Sequence, residues 1–170
     1  MRKGVARVMK VAAGIRLVCF DIDGTLTDGQ IGKGVLTDGL VTFFSRDCHG
    51  FQLLREGGIP VAWISGNNWD LVHDRAKSLK IPHLFLGTKD KAHSVRYQAE
   101  ALRISLAEVA FVGDDVNDLP AMELVGLPIA VADADWEVRA RAAYVTVAKG
   151  GHGAAREVAD LILAARGRTT

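Results

Sequence analysis

Two carboxylates one residue apart, Asp21 and Asp23, close the apolar run in "LVCFDIDGTLTDG" (17–29) and are followed at once by Gly24 and Thr25. Like charges this close raise each other's pKa, and nothing in folding requires them. Further along, Ser65, Gly66 and Asn67 end a second apolar run, Lys91 follows a third, and "GDDVND" (113–118) sets Asp114, Asp115 and Asp118 after a fourth. Any one of these aspartates can serve a turn or cap a helix, including Asp118 ahead of the helix that follows it. Together, on one crevice, they would be unstable without a cation. Mg2+ suits them, being hard, oxygen-seeking and commonly held by one or two carboxylates plus phosphate oxygens.

The chemistry that fits is phosphoryl transfer. One carboxylate of the 21/23 pair can attack phosphorus and form an aspartyl-phosphate. The other can protonate the leaving alkoxide and then activate water. Gly24 allows a tight turn that brings backbone N–H groups toward the phosphoryl group. Ser65 can donate to a phosphate oxygen, assisted by N–H groups such as that of Gly66 where the next helix starts. Lys91 would neutralise charge on the nucleophile and the phosphoryl oxygens.

The elements that must position these residues form a repeating pattern. Short apolar runs recur at "LVCF" (17–20), "PVAWIS" (60–65), "HLFLG" (83–87), "EVAFVG" (108–113) and "LPIAVA" (127–132), with "AYVTV" (143–147) a shorter one. Continuous apolarity suits strands covered on both faces. Helix-like stretches lie between them, near 50–56, 68–79, 89–102, 118–124 and 153–165. Strand then helix, repeated, predicts an α/β fold: a doubly wound, mainly parallel sheet with helices on both faces. Ligand sites in such sheets lie beyond the carboxyl ends of the strands, where the residues above fall. The segment 29–47 breaks the rhythm and reads as a small β-hairpin, about 29–38, with no room for a cap domain.

The 170 residues fit one domain, 15–167, after a weakly ordered leader over 1–14 and before a tail over 168–170. With 49% apolar and 24% charged residues and a net charge of +1, the chain lacks the field of a nucleic-acid binder. No segment approaches a membrane span, and the leader's apolar run is too short for a signal peptide. Two cysteines are too few for a disulfide framework; Cys19, in an apolar run, reads as a reduced core thiol. A cytoplasmic protein with no membrane partner is expected. His49 and His152, in Gly-bearing loops, read as structural or solvated, Trp63 as core, and Trp136 as packing a helix on the sheet. Trp69 could line the crevice or a subunit contact.

"DIDGTLTDG", "WISGNN", Lys91 in "GTKDK" and "VGDDVNDLP" resemble, in order and spacing, the four motifs of the haloacid dehalogenase superfamily. Further stretches, "RDCHGFQLLREGGI", "VHDRAKSLKI", "AVADA", "AYVT" and "GGHGAAREVADLIL", resemble its capless subgroup acting on 3-deoxy-D-manno-octulosonate 8-phosphate (KDO 8-phosphate). The likeness runs from about residue 15 to 167. It implies a Mg2+-dependent phosphatase that takes a small phosphorylated sugar acid, KDO 8-phosphate first and a nine-carbon ulosonate or acylneuraminate 9-phosphate next. It implies Asp21 as nucleophile and metal ligand, Asp23 as acid/base and carbonyl ligand, and Asp114 as the second carboxylate ligand. Asp115 and Asp118 would support the metal from behind, with Ser65 and Lys91 on the phosphate. It also implies a homotetramer in which the hairpin and a neighbouring subunit cover the site.

The family usually has Gly where Cys48 stands and Arg where Asn67 stands. Arg46, Asp47, Asn67, Arg75 and Arg156 are the candidates for contacts to the sugar acid; Arg156 could equally pair an acidic neighbour. Two rival readings carry less. A phospho-accepting receiver domain would end its third strand in the acceptor Asp, whereas "HLFLG" ends without one. A catalytically idle partner domain would lack one of the chemical side chains, and none is missing.

Overall fold

The computed structural model describes residues 3–29, 33–34, 37–38 and 42–168. Six strands form one sheet: β1 (Leu17–Phe20), β4 (Val61–Ile64), β5 (His83–Phe85), β6 (Val109–Gly113), β7 (Leu127–Ala130) and β8 (Tyr144–Val145). Their order is β5-β4-β1-β6-β7-β8, and every neighbouring pair is parallel. β1 lies between β4 and β6, with Cys19 opposite Ala62 on one side and Phe111 on the other. The reason is in the composition. β1, β4 and β6 are apolar at nearly every position and buried throughout, so they hold the middle of a two-sided core. The order leaps from β4–β5 on one side of β1 to β6–β8 on the other, and that switch opens the crevice above β1.

The helices are α1 (Lys3–Ala13), α2 (Ser45–Glu56), α3 (Asp70–Leu79), α4 (Lys91–Ala101), α5 (Leu119–Met122), α6 (Trp136–Arg141) and α7 (Ala154–Ala165). α1, α7 and α2 pack side by side as one layer, and α4 packs on α5 in the other. Between β1 and β4 the described residues hold only α2 and a two-stranded antiparallel pair, β2 (Lys33–Gly34) with β3 (Thr37–Asp38). This agrees with a hairpin in place of a cap. The rest of the expected 29–38 segment, at 30–32 and 35–36, lies outside the described residues.

Three expectations need correction. Residues 3–13, expected to be a loose or weakly helical leader, form a regular helix packed on α7 and β7, with Ala12 buried and Val8 and Val11 against the core. The spacing 8, 11, 12, 15 is one helix face, and tertiary burial rather than intrinsic propensity stabilises it. α2 begins at Ser45, five residues earlier than the sequence suggests, because Gly50, a poor helix former, sits mid-helix where α2 crosses α7. Trp136 does not pack on the sheet; it is 68% exposed at the start of α6, and Val138 is the residue turned inward. Trp63 and Cys19 are fully buried, as read from sequence.

Candidate active site

β1 delivers its carboxylate through the sheet itself. The Asp21 N–H donates to Val112 O at 2.9 Å, extending the β1–β6 ladder one residue past the strand. The chain then folds back sharply, with the N–H groups of Thr25, Leu26 and Thr27 all donating to Ile22 O at 2.9–3.3 Å. Gly24 is required in this turn twice over. Its φ is +90°, and a Cβ there would lie 2.1 Å from Asp114 Oδ2. The glycine therefore lets the first-strand loop touch the fourth-run carboxylate. The Gly24 N–H donates to Thr27 Oγ1 at 3.3 Å.

β6 ends in Gly113, and a Cβ at that position would meet Asp118 Oδ2 at 2.4 Å. Asp118 turns back over this glycine. Its Oδ2 accepts from the N–H groups of Asp114 and Asp115 at 3.0 and 3.3 Å, and its Oδ1 lies 2.6 Å from Lys91 Nζ. Asp118 makes no side-chain cap on α5, so it braces the loop before it and not the helix after it. Asp115 is exposed, and its Oδ1 accepts from the Val116 N–H at 2.7 Å.

Lys91, the first residue of α4, is buried and also reaches Asp21 Oδ1 at 2.7 Å. Asp21, Asp114 and Asp118 can each offer a carboxylate oxygen such that all three lie within 4.8 Å of one another. Burial pushes Asp21 well above the usual carboxylate range, the Asp118 charge adds to this, and Lys91 opposes it. Asp114 is pushed up to about 6, by burial and then by Asp118, against hydrogen bonding from Asp21 and Thr25. Burial works against the Lys91 charge, but Asp118 and Asp21 outweigh it and raise its pKa. Three carboxylates facing one ammonium leave an excess of negative charge, and a hard divalent cation fits that donor set.

Asp23 faces the other wall. Its Oδ2 accepts from Ser65 Oγ at 2.9 Å and from Asn67 Nδ2 at 3.0 Å. Gly66 is exposed beside them. Two residues that the motifs did not single out also join the cluster. Thr25 Oγ1 donates to Asp114 Oδ1 at 3.0 Å, and Lys91 Nζ donates to Asn117 Oδ1 at 3.4 Å. Their positions beside the Asp-rich loops were the available signal.

The sugar-acid candidates make contacts of their own within the chain. Asp47 is buried and accepts from the N–H groups of Gly153 and Arg156 at 3.1 and 2.8 Å, so its carboxylate braces the start of α7. Arg156 pairs with Asp160 one turn along α7, Nε to Oδ1 at 2.8 Å. Arg75 donates from Nη2 to Cys48 Sγ at 3.0 Å and lies 5.8 Å over the Phe43 ring. Asn67 is turned to Asp23, and Arg46 is exposed at the start of α2. His152 and His49 are exposed; the His152 Nδ1 lies 2.8 Å from Gly150 O.

Comparison with known proteins agrees with this geometry. Residues 83–158 match the family described as haloacid dehalogenase-like hydrolase. The chain is 45% identical over 163 residues to 3-deoxy-D-manno-octulosonate 8-phosphate phosphatase KdsC of Escherichia coli (strain B / BL21-DE3), covering 96% of this chain and 87% of the relative. The crystal structure of the Yersinia pestis phosphatase of the same name superposes with a TM-score of 0.93 at 42% identity, covering 95% of this chain and 88% of that one. The Moraxella catarrhalis phosphatase, solved in complex with magnesium, phosphate and KDO, superposes with a TM-score of 0.91 at 37% identity, covering 94% of this chain and 92% of that one. A carboxylate cluster on the strand ends of a parallel sheet, and this extent of identity over nearly the whole chain, lead to one assignment: the chain belongs to the KDO 8-phosphate phosphatase family of haloacid dehalogenase-like hydrolases.

Proposed function

We propose that this chain is a Mg2+-dependent phosphomonoesterase that hydrolyses KDO 8-phosphate to KDO and phosphate through an aspartyl-phosphate on Asp21. The observation that carries the reading is the buried Lys91 ammonium shared by Asp21, at the end of β1, and Asp118, with Asp114 alongside at the end of β6. The substrate comes from the relatives: the Escherichia coli relative at 45% identity bears that activity in its name, and the Moraxella catarrhalis one was solved with KDO and Mg2+.

Asp21, Asp114 and the Asp23 carbonyl would hold the ion; both Asp118 oxygens are already engaged, which suits a supporting place, and Asp115 stands further out. When bound, Mg2+ supplies Lewis-acid polarisation and charge neutralisation at the phosphoryl oxygens. Lys91 fixes Asp21 by one oxygen, so the carboxylate meets phosphorus in a set orientation. As the Asp21–phosphorus bond forms, the ester P–O bond breaks, its electron pair stays on the sugar oxygen, and Asp23 gives that oxygen a proton. Asp23 then takes a proton from water as the water oxygen bonds phosphorus and the aspartyl bond breaks. Ser65 and the Gly66 N–H border the phosphoryl position and can hold its oxygens.

The chain acts as a homotetramer in the cytoplasm, with the hairpin as the assembly element. No described helix is long and apolar enough to cross a membrane. The test is phosphate release across KDO 8-phosphate, acylneuraminate 9-phosphates and hexose phosphates, with Mg2+ and after chelation. KDO 8-phosphate turned over at least about tenfold faster in kcat/KM, and lost on chelation, is expected. A preference for another phosphate overturns the substrate, and metal-independent release overturns the mechanism. A light-scattering mass near the 18.3 kDa of one chain overturns the tetramer.

A further inference from the structure

The loops at the carboxyl end of the sheet close on one another in a ring. The loop after β7 meets the Asp114 loop directly, since the Asp135 N–H donates to Asp114 O at 2.7 Å. It meets the loop after β8 through Asp133, whose Oδ1 accepts from the Gly150 N–H at 2.9 Å, and through the Ala132 N–H, which donates to Ala148 O at 3.2 Å. The loop after β8 in turn presses on the turn that follows β1. The Gly151 N–H donates to Thr25 O at 3.0 Å. A Cβ on Gly150 would overlap Gly24 O, and one on Gly151 would run into the backbone at Thr27 and Asp28. The ring closes at the carboxylate cluster, where Thr25 Oγ1 donates to Asp114 Oδ1 at 3.0 Å.

Backbone touches backbone at Gly150 and Gly151, so the glycine pair has no side chain with which to anchor itself. The anchor comes from outside, from a residue that is exposed and stands apart from the cluster. The geometry points to Asp133 as a positioning residue: its carboxylate holds Gly150 against Gly24, and so keeps Thr25 and Asp114 in place for the ion. The inference rests on the Mg2+ site proposed above. Asp21 and Asp114 follow different strands, and each sits on a loop that could shift alone; the glycine pair ties the first of these loops, through Asp133 and Asp135, to the second. Mg2+ demands near-octahedral oxygens at about 2.0–2.1 Å, so a slightly displaced carboxylate binds it less well. What the Gly150 N–H requires of residue 133 is an acceptor oxygen, which an amide offers as well as a carboxylate.

Exchange of the acceptor separates this role from a charge effect and from general support of the fold. The unaltered chain, Asp133→Ala, Asp133→Asn and Asp114→Asn are melted across a Mg2+ titration. The Mg2+ concentration giving half of the maximal rise in Tm is set beside that giving half-maximal phosphate release from KDO 8-phosphate. Asp133→Ala is expected to raise both concentrations about tenfold, the lower end of what partners of metal ligands contribute. Asp133→Asn keeps an oxygen facing Gly150 and is expected to stay within about twofold of the unaltered chain. A comparable rise in Asp133→Asn shows a charge effect and overturns the brace. An Asp133→Ala protein that melts earlier without metal yet keeps its Mg2+ midpoints, or one unchanged in every respect, overturns it too. Those outcomes leave the Mg2+ site standing. A rise in Tm that persists in Asp114→Asn, or is absent from the unaltered chain, overturns the Mg2+ site and the brace with it.

Discussion

Lys91 and Asp118 form an ion pair of 2.6 Å in which both side chains are almost wholly shielded from water. The same ammonium lies 2.7 Å from Asp21. A residue at the start of α4 is thereby tied to the end of β1 and to the loop after β6, three segments far apart in the chain. Removing one partner of a buried pair is costly because the remaining charge is left uncompensated, here on two carboxylates at once.

Lys91→Met should therefore lose phosphate release by at least about a hundredfold. Without added metal it should also unfold more easily at neutral pH, by about 3–5 kcal/mol. The sign with pH follows from the carboxylates. Burial already raises Asp21, and without Lys91 it is raised further, so the native state binds the extra proton more tightly. The lost stability should return as pH falls and disappear again as pH rises. Denaturant melts of the metal-free variant at pH 5 and pH 7.5 check this; equal losses at both would refute it.

Asp47 offers a second test, because its type suggested a ligand contact and its surroundings a structural one. Its carboxylate accepts from the Gly153 and Arg156 N–H groups at the first turn of α7. Asp47→Ala should lower stability by about 1–2 kcal/mol, as loss of a helix cap does. The KM for the phosphorylated substrate should change by less than about twofold. A KM raised tenfold with unchanged denaturation would return Asp47 to the substrate.

A third prediction concerns the far edge of the sheet. Tyr144 Oη donates to Glu157 Oε1 at 2.6 Å, and the Glu157 carboxylate also accepts from the Val147 and Ala148 N–H groups, fastening the end of β8 to α7. Burial, then the adjacent Glu157 carboxylate, raises the Tyr144 phenol above its usual value near 10. A raised pKa contributes stability that is present below the unfolded value and lost as pH rises toward the folded one. Between pH 9 and pH 11 the unaltered chain should lose more stability than Tyr144→Phe, by denaturant midpoint. Parallel losses in the two proteins would show that this contact does not titrate.

The motifs made the chemistry legible before any coordinates. Asp21 and Asp23 sit after an apolar run too uniformly buried to be anything but a central strand, and "GDDVND" follows another. Runs of that kind define parallel strands because burial on both faces is written as uninterrupted apolarity. Helix ends were less legible. At eleven residues α1 is too short to be stable alone, and the first turn of α2 carries weak helix formers, so packing against α7 is what makes them helical.

Residue type determined that a metal and a phosphoester belong among these carboxylates, since like charges gathered on strand ends need a cation. Tertiary structure alone decided which oxygen faces which neighbour. It turned Asp118 back onto Lys91 and its own loop, sent Asp47 to the end of α7, and brought Asn67 to Asp23. Those outcomes depend on distances between segments 27 to 109 positions apart in the chain, which local sequence does not encode.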